Sequence, residues 1–156
     1  MEKMENAHPS TKRKPSQENS GDWIWSSRPK ARVDASKVGK WLVFCSPQQI
    51  DDLWVKIANS MDGGELAKVS IGCKVNTAGR DANKHVICVY TANFANKDSV
   101  AACLAVLREL GIEDTLYYKT DKQTRTRQYA SKGYKSSIYS SADFERLKPT
   151  AQMGMF

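Results

Sequence analysis

The side chains in this 156-residue chain with chemical potential are cations set among aromatic rings. Tyr117, Tyr118, Tyr129 and Tyr134 share one stretch with Lys119, Lys122, Arg125, Arg127, Lys132 and Lys135, against the single carboxylate of Asp121. Earlier, Lys68 and Lys74 punctuate the segment 67–75, and Arg80 and Lys84 fall in the polar turn after it. Lysine and arginine take phosphates, and aromatic faces stack bases at roughly 1–3 kcal/mol each. The expected phosphate-binding set is therefore Lys68, Lys74, Arg80, Lys84, Lys119, Lys122, Arg125 and Arg127. The expected stacking set is Trp23, Trp25, Tyr117 and Tyr118. Any one of these lysines serves equally well to keep a surface soluble. The constellation as a whole favours binding of RNA or a nucleotide without chemistry.

The case for catalysis is thinner. His85 starts a strand near Lys74, Lys84 and Tyr90, and a histidine there can act as a general acid or base on a phosphorylated or nucleotide substrate. A hydrogen-bonded strand-end histidine is the stronger reading. The sequence contains no paired carboxylates, nucleophile elbow, phosphate loop or zinc spacing. Cys45, Cys73, Cys88 and Cys103 make no CxxC pair, so no metal site is expected, and no cofactor is implied. They read as buried free thiols in a reducing compartment. No apolar run is long enough for a membrane span, and residues 1–21 have no apolar core of a secretory signal. A cytoplasmic location is expected, with the nucleus as the alternative. The run Lys12-Arg13-Lys14-Pro15 reads as a solvated tail in preference to a nuclear import signal.

Charge is distributed in blocks. The chain carries 24 Lys+Arg against 17 Asp+Glu, a formal net charge of +7. Two basic segments, 22–40 and 115–135, flank a slightly acidic middle, and clustered cations favour a polyanionic partner through counterion release.

Elements must hold these groups in place. Residues 1–21 are polar and cannot bury surface, so they form a disordered tail. A single domain spans 22–141, and 142–156 form a partly flexible extension with a weak apolar pattern around Phe144 and Leu147. Strands are expected at 23–25, 40–45, 67–75, 85–91, 115–119 and 137–140. A first helix starts after Ser46, with Pro47 at its first position and Gln49 completing a capping box. Its apolar stripe is Ile50, Leu53, Trp54, Ile57 and Met61, and Asp62-Gly63-Gly64 ends it. A second helix has Asn96 as N-cap, a stripe of Val100, Cys103, Leu104, Leu107 and Leu110, and Gly111 as its stop. In 67–75 the residues Val69, Ile71, Cys73 and Val75 alternate with Lys68 and Lys74, which gives one apolar and one cationic face. Tyr117 and Tyr118 point to opposite faces for the same reason. The predicted class is α+β: a mainly antiparallel sheet with helices on one face and an open, solvated face on the other.

This pattern resembles a known group. Trp23-Ile24-Trp25, a basic loop, a strand and then Ile50-Asp51-Asp52-Leu53-Trp54 look like the start of the cap-binding translation initiation factors. The later hairpin ending Ile87-Cys88-Val89-Tyr90-Thr91 and the helix-opening Asn96-Lys97-Asp98-Ser99-Val100 fit the same order. Within that fold, Val38-Gly39-Lys40-Trp41, Ala67-Lys68-Val69-Ser70, Tyr117-Tyr118-Lys119 and Ser137-Ile138-Tyr139-Ser140-Ser141 resemble the family named after basophilic leukaemia-expressed protein. The resemblance implies a curved sheet and a phosphate-binding rim near Lys74 and the 120–135 loop. In the cap-binding factors two tryptophans sandwich the methylated base and a glutamate reads its edge. Here the loop 26–38 has no tryptophan, and the chain between Met61 and Ala67 lacks the segment carrying the other two groups. Binding without a cap-type tryptophan sandwich is the resulting expectation. Trp54 matches the helix tryptophan that binds partner peptides in that family, so a protein-interaction adaptor using the Trp54 face is a further alternative.

Overall fold

The computed structural model describes residues 14–17, 23–26, 33–77, 85–121 and 137–145. Six strands form one sheet: β1 (Trp23–Ser26), β2 (Gly39–Cys45), β3 (Gly72–Asn76), β4 (His85–Thr91), β5 (Tyr117–Thr120) and β6 (Tyr139–Ser140). Their spatial order is β1-β3-β4-β2-β5-β6, and every neighbouring pair is antiparallel. Helix α1 (Pro47–Met61) and helix α2 (Lys97–Glu109) pack on one face, and a short α3 (Ser141–Glu145) follows β6.

Period-two alternation assigns the faces. Ile24, Trp41, Val43, Cys73, Val75, Ile87, Val89 and Tyr118 point toward the helices and join Ile50, Trp54, Ile57, Val100, Cys103, Leu104 and Leu107 in the main core. Trp41 anchors sheet to helix. Its indole Nε1 donates to the Val100 carbonyl at 3.1 Å, and its ring meets Tyr118 and Phe144 edge-on at 5.3 and 5.9 Å. Tyr118 in turn lies directly over Gly39, where any Cβ would collide with the phenol, and its hydroxyl pairs with Thr91 Oγ1 at 2.5 Å.

The helix ends follow local chemistry. The Asn96 side chain accepts from the Ser99 amide at 3.2 Å, as its position in the sequence predicts. Gly111 takes φ +96, and the Ile112 and Gly111 amides reach back to the carbonyls of Leu107 and Arg108, which is a Schellman stop. The expected capping box on α1 is not formed. Ser46 makes no side-chain bond to the helix backbone, and its hydroxyl instead meets Gln49 Oε1 at 3.3 Å. Pro47 at the first turn carries that start.

The segment 67–75 departs from expectation. Leu66–Lys68 is a single 3-10 turn, with Leu66 fully buried, and the strand proper begins at Gly72. The Ser70 hydroxyl shares its proton between the carbonyls of Tyr90 and Gly72, at 2.7 and 3.0 Å, and accepts from the Gly72 amide, so a side chain joins the Ile71 amide on the Tyr90 carbonyl where the ladder begins. The alternation breaks there. Cys73 and Val75 face the helices, but Ile71 packs into a second, smaller cluster on the other side of the sheet.

The C-terminal residues 141–145 are helical and tied down. Arg108 grips Glu145 through both Nε and Nη2 at 3.0 Å, and Phe144 packs against Trp41 and Tyr139. No helix among the described residues is long and apolar enough to cross a membrane.

Candidate nucleic-acid interface

Strand register places a defined set of side chains on the face away from the helices. Reading across the sheet, Trp25 lies beside Lys74, Lys74 beside Cys88, Cys88 beside Leu42, and Leu42 beside Tyr117. The adjacent row runs Gly72, Tyr90, Lys40 and Lys119. The partners in each row are opposite one another, so they share a face.

Lys74 sits at the aromatic end of this surface. Its ammonium lies 4.0 Å from the Trp23 ring centroid, 5.1 Å from Trp25 and 5.9 Å from Tyr90. Trp25 stacks on Tyr90 at 5.8 Å with an interplanar angle of 18°. A cation held over aromatic faces gains electrostatically from the ring quadrupole, and the rings fix its position.

A cationic group surrounds the middle of the face. Burial pushes the Cys88 thiol above its ordinary pKa, Lys40 and Lys74 pull it down, Asp121 pushes it up and Lys119 pulls it down. Three ammonium groups therefore act on one thiol. Lys40 is itself buried and bonded to Asp121 Oδ1 at 3.1 Å. The centre of this face is not the open, solvated surface the alternation predicts. Val38, Leu42, Cys88 and Tyr90 are buried in the second cluster, with Val33, Ile71, Val86 and Trp25 against them.

Exposure is concentrated elsewhere on the same face. Among the described residues the exposed large hydrophobic side chains are Trp23 at 41%, Phe44 at 58% and Tyr117 at 47%. All are aromatic, and all point away from the helices by register. Scattered apolar exposure needs no explanation, but an aromatic set confined to one sheet face does.

The expected site residues divide accordingly. Lys74, Lys119, Trp23, Trp25 and Tyr117 are brought together on this face. Tyr118 is not: it is fully buried beneath the helices, because Tyr117 takes the outward position in the alternation. Lys68 is not either. It lies in the 3-10 turn and pairs with Glu65 at 3.1 Å on an exposed surface. Arg80, Lys84, Lys122, Arg125 and Arg127 lie outside the described residues. Trp54 is fully buried on the core side of α1, so its indole cannot meet a partner in this conformation. His85 is 1% exposed, opposite Cys45 on the helix side of the sheet, with Nδ1 3.2 Å from the Asn76 carbonyl. A buried ring on that face has no access to a substrate held near Lys74.

Sequence reasoning missed Phe44, Tyr90 and Lys40. Phe44 is hidden in the continuous apolar run of β2, where alternation leaves no polar marker. The period-two rule applied outward from Trp41 would have found it. No group of His, Cys, Asp and Glu suited to a metal ion occurs among the described residues.

Residues 11–126 match the model of the family described as basophilic leukemia-expressed protein Bles03. The chain belongs to this family. In three dimensions the Bles03-family chain is similar to eIF4E from a schistosome, solved with m7GpppA and 4E-BP, at TM-score 0.60 and 18% identity over 82% of this chain and 74% of that one. It is similar to Caenorhabditis elegans eIF4E-3, solved with the 4E-binding protein Mextli and a cap analog, at TM-score 0.59 and 22% identity over 73% and 70% of the two chains. It is also similar to Ascaris suum eIF4E-3 with m7G cap, at TM-score 0.55 and 17% identity over 70% and 67%. The predicted α+β fold of the cap-binding factors is thus the fold observed.

Proposed function

We propose that the chain binds the phosphate and base groups of RNA or a nucleotide on the sheet face that carries Trp23, Lys74, Phe44, Tyr117 and Lys119, without catalysing a reaction. The observation that carries this reading is the placement of the exposed aromatics Trp23, Phe44 and Tyr117 on one face together with Lys74 and Lys119. Aromatic faces supply sequence-tolerant stacking, and the lysines supply phosphate contacts that depend on salt. The shared fold supports the reading, because the similar eIF4E structures were solved with m7GpppA, a cap analog and m7G cap. A single nucleotide is held at the end with Trp23 and Lys74, and a longer strand crosses the filled centre at Lys40 and Tyr90 to reach Tyr117 and Lys119.

A titration of the intact chain with fluorescein-labelled single-stranded RNA, and separately with GTP and m7GTP, tests this. Binding at low salt is expected to weaken steeply as salt rises. Trp23→Ala should cost roughly 1–3 kcal/mol of binding. Lys74→Gln should lower the slope of log affinity against log salt by about one phosphate contact. Absence of binding to all three ligands at low salt would reject the proposal.

A second reading is a protein partner. It is favoured by the schistosome and Caenorhabditis complexes, which contain 4E-BP and Mextli. Such a partner would have to use side chains other than Trp54. Capture of a partner that survives Trp23→Ala and Lys74→Gln would support this reading over the first.

A further inference from the structure

One contact on the helical side of the molecule is unexplained by ligand binding on the sheet. Within the stretch expected to be a disordered tail, Pro15–Gln17 instead forms a single 3-10 turn that packs on α1, and Pro15 is buried there. The contact is polar as well as apolar. The Ser16 amide donates to Asp51 Oδ1 at 3.1 Å, and the Ser16 hydroxyl donates to Asp51 Oδ2 at 2.6 Å. One carboxylate thus holds one serine by both of its donors. Asp52, the next residue of α1, is exposed beside it.

This arrangement depends on Ser16 being a donor. A phosphorylated serine has no hydroxyl proton to give, and it carries close to two negative charges. Placed against Asp51, with Asp52 next in the chain, it meets like charge where it formerly met an acceptor. The sequence around Ser16 is Lys12-Arg13-Lys14-Pro15-Ser16. Cations two, three and four residues before a serine are the complement of an acidic substrate cleft, where charge-assisted hydrogen bonds select the peptide.

We propose that Ser16 is a phosphorylation site for a basic-residue-directed serine kinase, and that its modification detaches segment 14–17 from α1. The Ser16 Oγ attacks the γ-phosphorus of ATP. The Oγ–P bond forms, the bond from that phosphorus to the bridging oxygen breaks, ADP leaves, and the hydroxyl proton passes to the kinase's base. A kinase takes its substrate as an extended strand, so the segment must leave α1 first. Detachment of one short turn is a local opening of low cost. Phosphorylation then holds the released state, because the docked one would set a dianion against a carboxylate. The unmodified chain keeps this part of α1 covered by its own residues, and the modified chain exposes it.

The test uses the intact chain, ATP and the purified catalytic subunit of an arginine-directed serine kinase. Mass spectrometry reads the position of the phosphate, and the 15N NMR resonance of the Ser16 amide reads docking. One phosphate on Ser16 is expected, with its amide moving to the position typical of unstructured chain while core resonances stay in place. Arg13→Ala should slow incorporation about tenfold, the worth of one charge-assisted hydrogen bond in the cleft. Asp51→Asn removes the charge and keeps an acceptor, so its phosphorylated form should stay more fully docked than the phosphorylated wild type. Failure to label Ser16, or a labelled chain whose Ser16 amide keeps its docked resonance, would overturn the proposal. Equal release in Asp51→Asn would overturn the electrostatic cause.

Discussion

The thiols show how burial sets reactivity one side chain at a time. Cys45 is half-buried at the end of β2, and desolvation alone pushes its pKa up from 9.0 to about 11. Cys73, deep between sheet and helices, is pushed up to about 12, chiefly by burial, with a smaller opposing bond to the Ser26 carbonyl. The thiolate is the nucleophile, so at a given pH below 9 Cys45 holds roughly a hundredfold less thiolate than a free cysteine. Alkylation of the native chain at pH 8 should therefore be slow at Cys45 and slower still at Cys73, with rates restored by denaturant. Stability shifts with pH in a definite direction. The folded pKa values lie above the unfolded one, so this contribution is complete below about pH 9 and is lost as pH climbs through about 11 to 12. Unfolding curves at pH 8 and pH 11 check it; equal midpoints would count against buried thiols as the cause. Tyr90 and Tyr118 are displaced upward as well, again mainly by burial, and act in the same direction.

At the level of elements, one arginine joins three of them. Arg108, in the last turn of α2, donates to the Ile112 carbonyl at 2.8 Å, to the Asp114 carbonyl at 2.7 Å, and to both Glu145 oxygens at 3.0 Å. It fixes the end of α2, the loop toward β5 and α3 together. A lysine cannot reproduce that fork. Arg108→Lys should lower stability by about 1–3 kcal/mol, and α3 should show faster amide exchange than the rest of the fold. Retention of wild-type stability and of α3 protection would show that the grip is incidental. Most elements themselves were legible in the sequence. The two helices announced themselves through apolar stripes, Asn96 and Gly111, and His85–Thr91 through its uninterrupted run between polar turns. The failure at 67–75 has a physical reason. Val69, Ile71, Cys73 and Val75 keep perfect alternation on paper, but a buried Leu66 and the Ser70 side-chain bonds delay the strand to Gly72.

At the scale of the whole molecule, the candidate site was only half legible. Composition could point to lysines and aromatics, but register decides which of them meet. Tyr117 and Tyr118 are adjacent and chemically equal, and only the pairing of β5 with β2 sends one outward. Lys68 and Lys74 have the same local pattern, and only one lies in the sheet. Phe44 has no polar neighbour in its apolar run to mark its face, and only alternation counted from Trp41 separates it from the core residues beside it. The spatial order of the sheet also bears on its motions. β2 and β4 share their longest register, seven residues, and each is flanked on both sides, whereas β1 and β6 have a single neighbour. Hydrogen–deuterium exchange should consequently proceed from the margins inward, with the amides of Leu42 and Val89 outlasting those of Ile24 and Tyr139. Uniform exchange across the six strands would contradict this. Trp23 and Trp25 ride on one of those margins, so the proposed ligand surface is hinged on a ribbon with a single neighbour. A bound base would act there as a clasp, and its grip would be felt first as slower opening of that outermost ribbon.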